Sequence, residues 1–66
     1  MTVLCIIRKD LIDQGVSIPT REGPYLSSGL FEVVECRDGG MDEFNMTVKD
    51  NDSNVYNVIS IDFDFI

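Results

Sequence analysis

The fold can be read from the stretch FNMTVKDNDSNVYNVISIDFDF, residues 44–65. Apolar and polar side chains alternate over 44–49 and again over 59–65, and a run of Asp, Asn and Ser separates the two parts at 50–54. Successive side chains of a strand point to opposite faces, so this alternation predicts strands with one row on a core and one row in water. The polar run predicts a hairpin turn. The fold class is therefore predicted to be all-β.

The rest of the chain adds strands to this pattern. The prediction places them at 3–8, 30–37, 43–49 and 55–59. Residues 60–66 either continue the last of these or, after a short turn at 60–62, form a fifth strand at 63–66. The first strand is apolar on both faces, which predicts a central position in the sheet. Residues 1–66 are interpreted as one domain with a small core, because a chain of about 60 residues buries only ~60% of its unfolded surface.

Residues 9–28 lose the periodicity and contain both prolines of the chain. They predict a long loop after the first strand, in which 10–14 could close one helical turn before Gly15. Loops of this length are usually functional or disordered, so this segment is the first place to search for a site. Two interpretations stand as equals: Ile18, Pro19, Tyr25 and Leu26 contribute to a recognition surface, or Val16, Ile18 and Tyr25 fold back as a lid over the core.

Cys5 and Cys36 each lie inside a predicted strand. Their positions favour buried, reduced thiols, although pairing of the two strands could bring them within reach of a disulfide. The chain has no histidine and no C-x-x-C pair, so a structural zinc site is not expected. No metal or other cofactor is predicted.

Charge is distributed unevenly. The chain has twelve acidic and five basic residues, and residues 38–66 hold seven of the acids but only one base. Phosphate contacts need Lys and Arg, so direct binding to nucleic acid is disfavoured. Partners are predicted to be proteins with a basic or neutral surface. No apolar run is long enough for a membrane helix, and basic residues follow the first apolar run instead of preceding it, so we expect a cytoplasmic location without membrane binding.

No catalytic constellation is found, and we expect no enzymatic activity. Histidine, the commonest general base, is absent, and the serines stand in no G-x-S-x-G elbow. Asp62 and Asp64 would share a strand face about 6.6 Å apart, but solvated strand positions explain them more simply. The run from Asp50 to Asn54 opens like a calcium loop but lacks the Gly and Glu that an EF-hand needs later, so a hairpin turn is preferred.

Mimicry of nucleic acid toward a host protein is a further hypothesis. It would require Glu43, Asp62 and Asp64 to converge with the acidic turns at 38–42 and 50–54, because duplex DNA offers one charge per about 1.7 Å of axis. A solvated face that keeps the chain soluble explains the same acids without a partner.

Several short motifs carry a family resemblance: VLCI at 3–6, GLFEVVE at 29–35, FNMTVKDN at 44–51, VYNV at 55–58 and FDFI at 63–66. In this order they resemble the small SH3-like barrel proteins of bacteriophages and prophages. The resemblance implies a small five-stranded SH3-like barrel with a long loop after the first strand, encoded by a phage or mobile element and acting in the host cytoplasm. It implies a binding module and carries over no catalytic residue. The chain departs from the family in its longer segment at 10–28 and in Ser53-Asn54, which replace a hairpin glycine.

Two functions are therefore considered. The first is an accessory protein that binds and modulates a host or phage protein through its acidic face and long loop, as a monomer or small homo-oligomer. Its partner-binding residues are predicted to be Tyr25, Leu26, Glu43, Tyr56, Asp62 and Asp64, with Phe44 as a further aromatic anchor if exposed. The alternative is a structural or virion-associated protein that assembles through an exposed strand edge, at 55–59 or at the carboxyl-terminal strand.

Overall fold

One antiparallel sheet of five strands makes up the fold, in a computed structural model that describes residues 2–40 and 43–66. The all-β prediction is confirmed. Along the chain the elements are β1 (Leu4–Ile7), α1 (Lys9–Asp13), β2 (Leu30–Cys36), β3 (Met46–Lys49), β4 (Val55–Val58), a 3₁₀ helix (Ser60–Asp62) and β5 (Phe63–Phe65). The strand order is β4-β3-β2-β1-β5, so the sheet is open, with β4 and β5 as its edges. Of the turn predicted at 38–42, Met41 and Asp42 lie outside the described residues.

The core lies on one face of this sheet. The alternation at 44–49 is confirmed in β3, where Met46 and Val48 are buried and Thr47 and Lys49 are only half-buried. Strand pairing places Val58 directly opposite Met46, which extends the same apolar row into β4. The buried apolar residues are Cys5, Ile7, Ile18, Phe31, Met46, Val48, Val58 and Phe63.

A β-bulge in β2 shifts its pairing with β3 and changes which of its side chains share a face. Val33 is opposite Val48, but the next paired residue is Glu35, opposite Thr47, so Val34 is the extra residue. A bulge of this kind shifts the alternation by one position. Phe31 and Val33 face the core as predicted, whereas Cys36 comes to lie opposite the buried Met46. The sequence pattern alone predicts Phe31 and Val33 on one face of β2 and Leu30, Val34 and Cys36 on the other; for Cys36 this prediction is wrong.

The two cysteines are free and lie far apart. Cys5 is buried and pairs with Phe31, whereas Cys36 is exposed, five residues further along β2. Five strand residues span about 16 Å, well beyond the ~7 Å limit for the Cα atoms of a disulfide. The prediction of reduced thiols holds in the structure, but only Cys5 is buried.

The end of the chain forms a separate fifth strand after a short turn, which is the second of the two predicted alternatives. The 3₁₀ helix breaks the alternation, since the amide of Asp62 bonds to the carbonyl of Ile59 at 3.1 Å, and β5 then returns to pair with β1. Phe63 is buried and its ring meets that of Phe31 edge-on, with centroids 5.8 Å apart. Ile61, predicted on the apolar row, lies in the 3₁₀ helix and is exposed. Neither helix in the described part of the chain has the length and apolar character to cross a bilayer.

Candidate functional site

The long loop is ordered by its own hydrogen bonds. It begins with α1, which confirms the predicted helical turn, and then folds into a narrow hairpin closed by the bridge between Ile18 and Leu26. The two amides of this bridge donate across it at 2.7 and 2.9 Å. The hydroxyl of Thr20 donates to the carbonyl of Pro24 at 2.6 Å, nearer the tip. These bonds give the loop one defined shape.

The tip of this hairpin is attached to the edge strand β4. The Arg21 amide donates to the carbonyl of Asn57 at 2.9 Å, and the amide of Asn57 donates to Oε1 of Glu22 at 2.7 Å. The Asn57 side chain adds a third bond, from Nδ2 to Oε2 of Glu22, also at 2.7 Å. These bonds from Asn57 hold the pKa of Glu22 below its ordinary value of 4.5. Both outward backbone groups of Asn57 are thereby occupied, which protects β4 against pairing with another strand.

The burial of the loop residues agrees in part with each of the two interpretations, the lid and the recognition surface. Ile18 is buried at 1% exposure and packs into the core, as the lid interpretation predicts. Val16 and Tyr25, the other two residues of that interpretation, are exposed, Tyr25 at 69%. Leu26 is half-buried and packs against the core from the opposite arm of the hairpin. The loop therefore covers the core with Ile18 and presents the ring of Tyr25 to solvent.

A shallow groove of about 220 Å³ lies beside this hairpin. It is formed where β2 begins and β3 ends, between the last residues of the loop and the β3–β4 turn. Its lining is Leu26, Ser28, Gly29, Leu30, Phe31, Asp50, Asn51 and Asp52. Leu26 is thus the only one of the predicted binding residues that lines this groove.

The β3–β4 turn is the predicted hairpin. One oxygen of Asp50, Oδ1, accepts the amides of Asp52 and Asn54, both at 2.9 Å, and Oδ2 accepts Nδ2 of Asn54 at 3.2 Å. These bonds, the one from the Asn54 amide foremost, lower the pKa of Asp50 and keep it ionised. Ser53 takes the left-handed conformation, with φ at 66°, at the place where a glycine is more usual. The turn therefore carries a fixed negative charge.

Asp62 and Asp64, predicted to share one strand face, belong to different elements: Asp62 ends the 3₁₀ helix and is half-buried, whereas Asp64 lies on β5, so the prediction of a shared strand face is wrong. The Arg8 guanidinium makes a double hydrogen bond to Asp10, at 2.6 and 3.1 Å, and both Asp62 and Asp64 act electrostatically on it. Partial burial raises the pKa of Asp62, and Arg8 opposes that rise. Asp64 is exposed on β5, opposite Ile6. Part of the negative charge at this end of the sheet is thus balanced by Arg8.

The remaining predicted residues lie elsewhere. Tyr56 is half-buried on β4, opposite Val48, and packs against the core. Glu43 is exposed between β2 and β3, and its amide donates to the carbonyl of Gly40 at 3.1 Å. Phe44 beside it is 37% exposed. The structure therefore places Tyr25 and Leu26 on one loop, but it does not bring all the predicted residues to one place.

The acids do not form a dense array. Across the sheet, β5 and β3 are separated by three strand spacings, about 14 Å at ~4.8 Å per spacing. The carboxylates of β5 and those of the β3–β4 turn are therefore spaced far more widely than the phosphates of a duplex. Three of the bases pair with acids that are close in sequence: Arg8 with Asp10, Lys9 with Asp13, and Arg37 with Glu35.

Sequence reasoning missed Glu22 and Asn57, the residues that hold the loop against β4. They are 35 positions apart, and no motif or periodicity links a loop glutamate to a strand asparagine at that separation. Within residues 2–40 and 43–66, no three His, Cys, Asp or Glu side chains are grouped to hold a metal ion. Comparison of the chain with protein-family models, with curated proteins and with solved structures found no match.

Proposed function

We propose that this chain is a small acidic protein-binding module, with the strand arrangement of an SH3-like barrel, that docks on a protein with a basic or neutral surface. The barrel assignment draws on the resemblance in the sequence and on the connectivity, in which β5 returns to β1 after a 3₁₀ helix. The proposal also includes the biological setting that the resemblance implies, an accessory protein of a phage or mobile element that modulates a host or phage protein in the cytoplasm.

The observation that carries this proposal is an exposed aromatic ring on a rigid loop. Tyr25 is 69% exposed, although its hairpin is held by the Ile18–Leu26 bridge and by Glu22 on Asn57. Tyrosine is enriched among the residues that dominate binding energy. A loop that is already ordered loses less conformational entropy on binding, which favours affinity. An exposed ring held in this way has no evident role in the fold itself.

Charge gives the expected chemistry of the partner. The net charge is −7, and three of the five bases lie in local ion pairs, so carboxylates dominate the remaining surface. A basic partner would be attracted and a nucleic acid repelled. Mimicry of nucleic acid is a narrower form of the same proposal. It draws little support from acids spaced about 14 Å apart across the sheet.

The test is binding to the proteins of a bacterial host lysate, with the wild-type chain compared with Tyr25→Ser. A protein captured by the wild type should bind the variant at least tenfold more weakly, and its binding should fall as salt rises. Asp13→Asn serves as the control, because it removes an exposed charge on α1 at a distance in the chain from the loop tip. Equal capture by Tyr25→Ser and wild type, with folding intact, would contradict the proposal.

Assembly through a strand edge is the second candidate function, and one observation favours it for β5. The β4 edge is occupied at Asn57, whereas Phe65 on the β5 edge is 54% exposed. An unpaired edge is a template for another strand, in a second copy or in a virion component. Self-association that persists at high salt and is lost in Phe65→Ser would support this function. A monomer under the same conditions would count against it.

A further inference from the structure

We propose that the groove between the loop and the β3–β4 turn receives one basic side chain of the partner, an arginine or a lysine. This inference rests on the proposed function and names the chemistry of one part of the binding surface. It moves the acidic contact from Asp62 and Asp64, where the sequence suggested it, to the turn at Asp50 and Asp52.

The inner part of the groove is apolar. Leu26 and Phe31 line it beneath, and Leu30, 42% exposed, borders it. Gly29 lets the backbone pass close to the ring of Phe31: its φ is +131°, and an added Cβ would lie 3.2 Å from Cζ of that ring. The groove is thus shaped by a glycine that a larger residue could not replace without strain. Apolar walls of this kind suit the methylene stem of a lysine or arginine.

The outer part of the groove is negative. Asp50 is ionised and already accepts three hydrogen bonds within the turn, so it contributes a fixed charge. Asp52 is exposed, and no donor within residues 2–40 and 43–66 bonds to its carboxylate. Both of its oxygens can therefore accept hydrogen bonds from a guanidinium or ammonium group. The hydrogen bonds within the turn lower the pKa of Asp50, which favours the ionised form of that carboxylate.

Among the residues that the structure describes, no basic side chain forms an ion pair with the acids of the groove. None of its lining residues is basic, and the neighbouring Lys49 alternates with the buried Val48, so that it lies on the other face, opposite Glu32 and Val55. The volume, about 220 Å³, is below the ~300 Å³ at which pockets for drug-sized ligands begin, so one long side chain fits better than a cofactor. The apolar half also disfavours a bare metal ion such as Ca²⁺, which takes about six to eight oxygen ligands.

The test is an NMR titration of the ¹⁵N-labelled chain with the capped tripeptide acetyl-Leu-Arg-Leu-amide. The same peptide with citrulline in place of arginine is the neutral comparison. We expect saturable shifts of the amides at 28–31 and 50–52 with the arginine peptide, and at least threefold weaker binding of the citrulline peptide. Asp52→Asn should weaken binding of the arginine peptide about threefold, as expected for an exposed ion pair.

Asp64→Asn is the matched control, since it removes the same charge from an exposed position on β5, two strand spacings from Leu30 and three from β3. It should change the affinity for the arginine peptide by less than Asp52→Asn does. Equal effects of the two variants, shifts centred on 62–64, or the absence of saturable shifts would each overturn the groove assignment. The proposed function fails separately, if a captured partner does not depend on Tyr25. A partner that depends on Tyr25 but not on Asp52 would refute the groove alone.

Discussion

Glu22→Gln is the substitution that tests most directly whether the loop is held in place by β4. The carboxylate of Glu22 accepts two hydrogen bonds from Asn57, each at 2.7 Å. A glutamine keeps the size of the side chain but loses the charge, and it offers only one oxygen to the two donors. The variant should therefore loosen the hairpin tip without altering the packing of the core.

The size of the effect can be bounded. Hydrogen bonds to a charged group contribute about 1.5–3 kcal/mol each when water is excluded, but Glu22 lies at the surface and water can replace it. With that discount, the loss of charge and of one acceptor should lower the free energy of unfolding by about 1 kcal/mol. For a domain of this size the corresponding fall in Tm is about 4–8 °C.

The dependence on pH gives a second measure. The folded pKa of Glu22 lies below its ordinary value of 4.5, so the stabilisation is present above 4.5 and is lost as the pH falls through the folded pKa. The stability difference between wild type and Glu22→Gln should accordingly be largest near neutral pH and should shrink below 4.5. Thermal unfolding followed by circular dichroism at several pH values measures both effects.

Hydrogen exchange at the Asn57 amide completes the test. This amide should be protected in the wild type, and Glu22→Gln should accelerate its exchange more than that of the amides within β3. Asp13→Asn is again the control, because its salt bridge to Lys9 is long, at 3.8 Å, and exposed to solvent on α1. An unprotected Asn57 amide in the wild type, or a variant whose Tm equals that of the wild type at neutral pH, would refute the attachment of the loop to β4.

Three further substitutions and one chemical modification test other features. Gly29→Ala and Gly23→Ala both force a side chain into a conformation of positive φ, at +131° and +115°, and each should destabilise by about 1–3 kcal/mol in urea unfolding. Gly29→Ala should cost more, because its Cβ would meet a phenylalanine ring at 3.2 Å whereas the Gly23 position is open; a smaller effect at 29 would contradict the packing. Cys36 should react with a thiol reagent in the native state, whereas Cys5, whose pKa burial raises to about 11, should react only on unfolding. Asp62→Asn should increase stability at neutral pH, since the raised pKa of this carboxyl means that its stabilising contribution is present in acid and is lost as pH rises; a fall in Tm at neutral pH would contradict this sign.

The sequence correctly predicted structural features that depend on residues close together in the chain. The alternation at 44–49 correctly predicted which residues of β3 are buried, and the polar run at 50–54 correctly predicted the hairpin turn. The helical turn before Gly15 was also correct, since Gly15 takes φ at 71° directly after α1. The bulge at Val34 was not predictable, because nothing in β2 alone shows where its partner strand skips a residue.

The candidate site was predictable only in part. Tyr25 and Leu26 were correctly placed on the loop that the sequence marked as the first to search, and the structure adds that one is exposed and the other packs against the core. Tyr56 was grouped with them as an anchor, but it packs against the core, since its position opposite Val48 puts it on the apolar row. The groove beside the β3–β4 turn was not foreseen, because its two sides are about twenty residues apart in the chain.

By itself the sequence determined the all-β class, the hairpin at 50–54, the acidic surface and the position of the long loop. Those properties depend on the period of side chains along a strand, on turn-forming residues and on a sum of charges, all of which are local or additive. The tertiary structure alone decided that Glu22 caps Asn57, that the charges of Asp62 and Asp64 act on Arg8, and that Asp50 and Asp52 face apolar residues across a groove. Such contacts depend on the register and order of strands distant in sequence, and those are set only when the apolar rows of all five strands share one core.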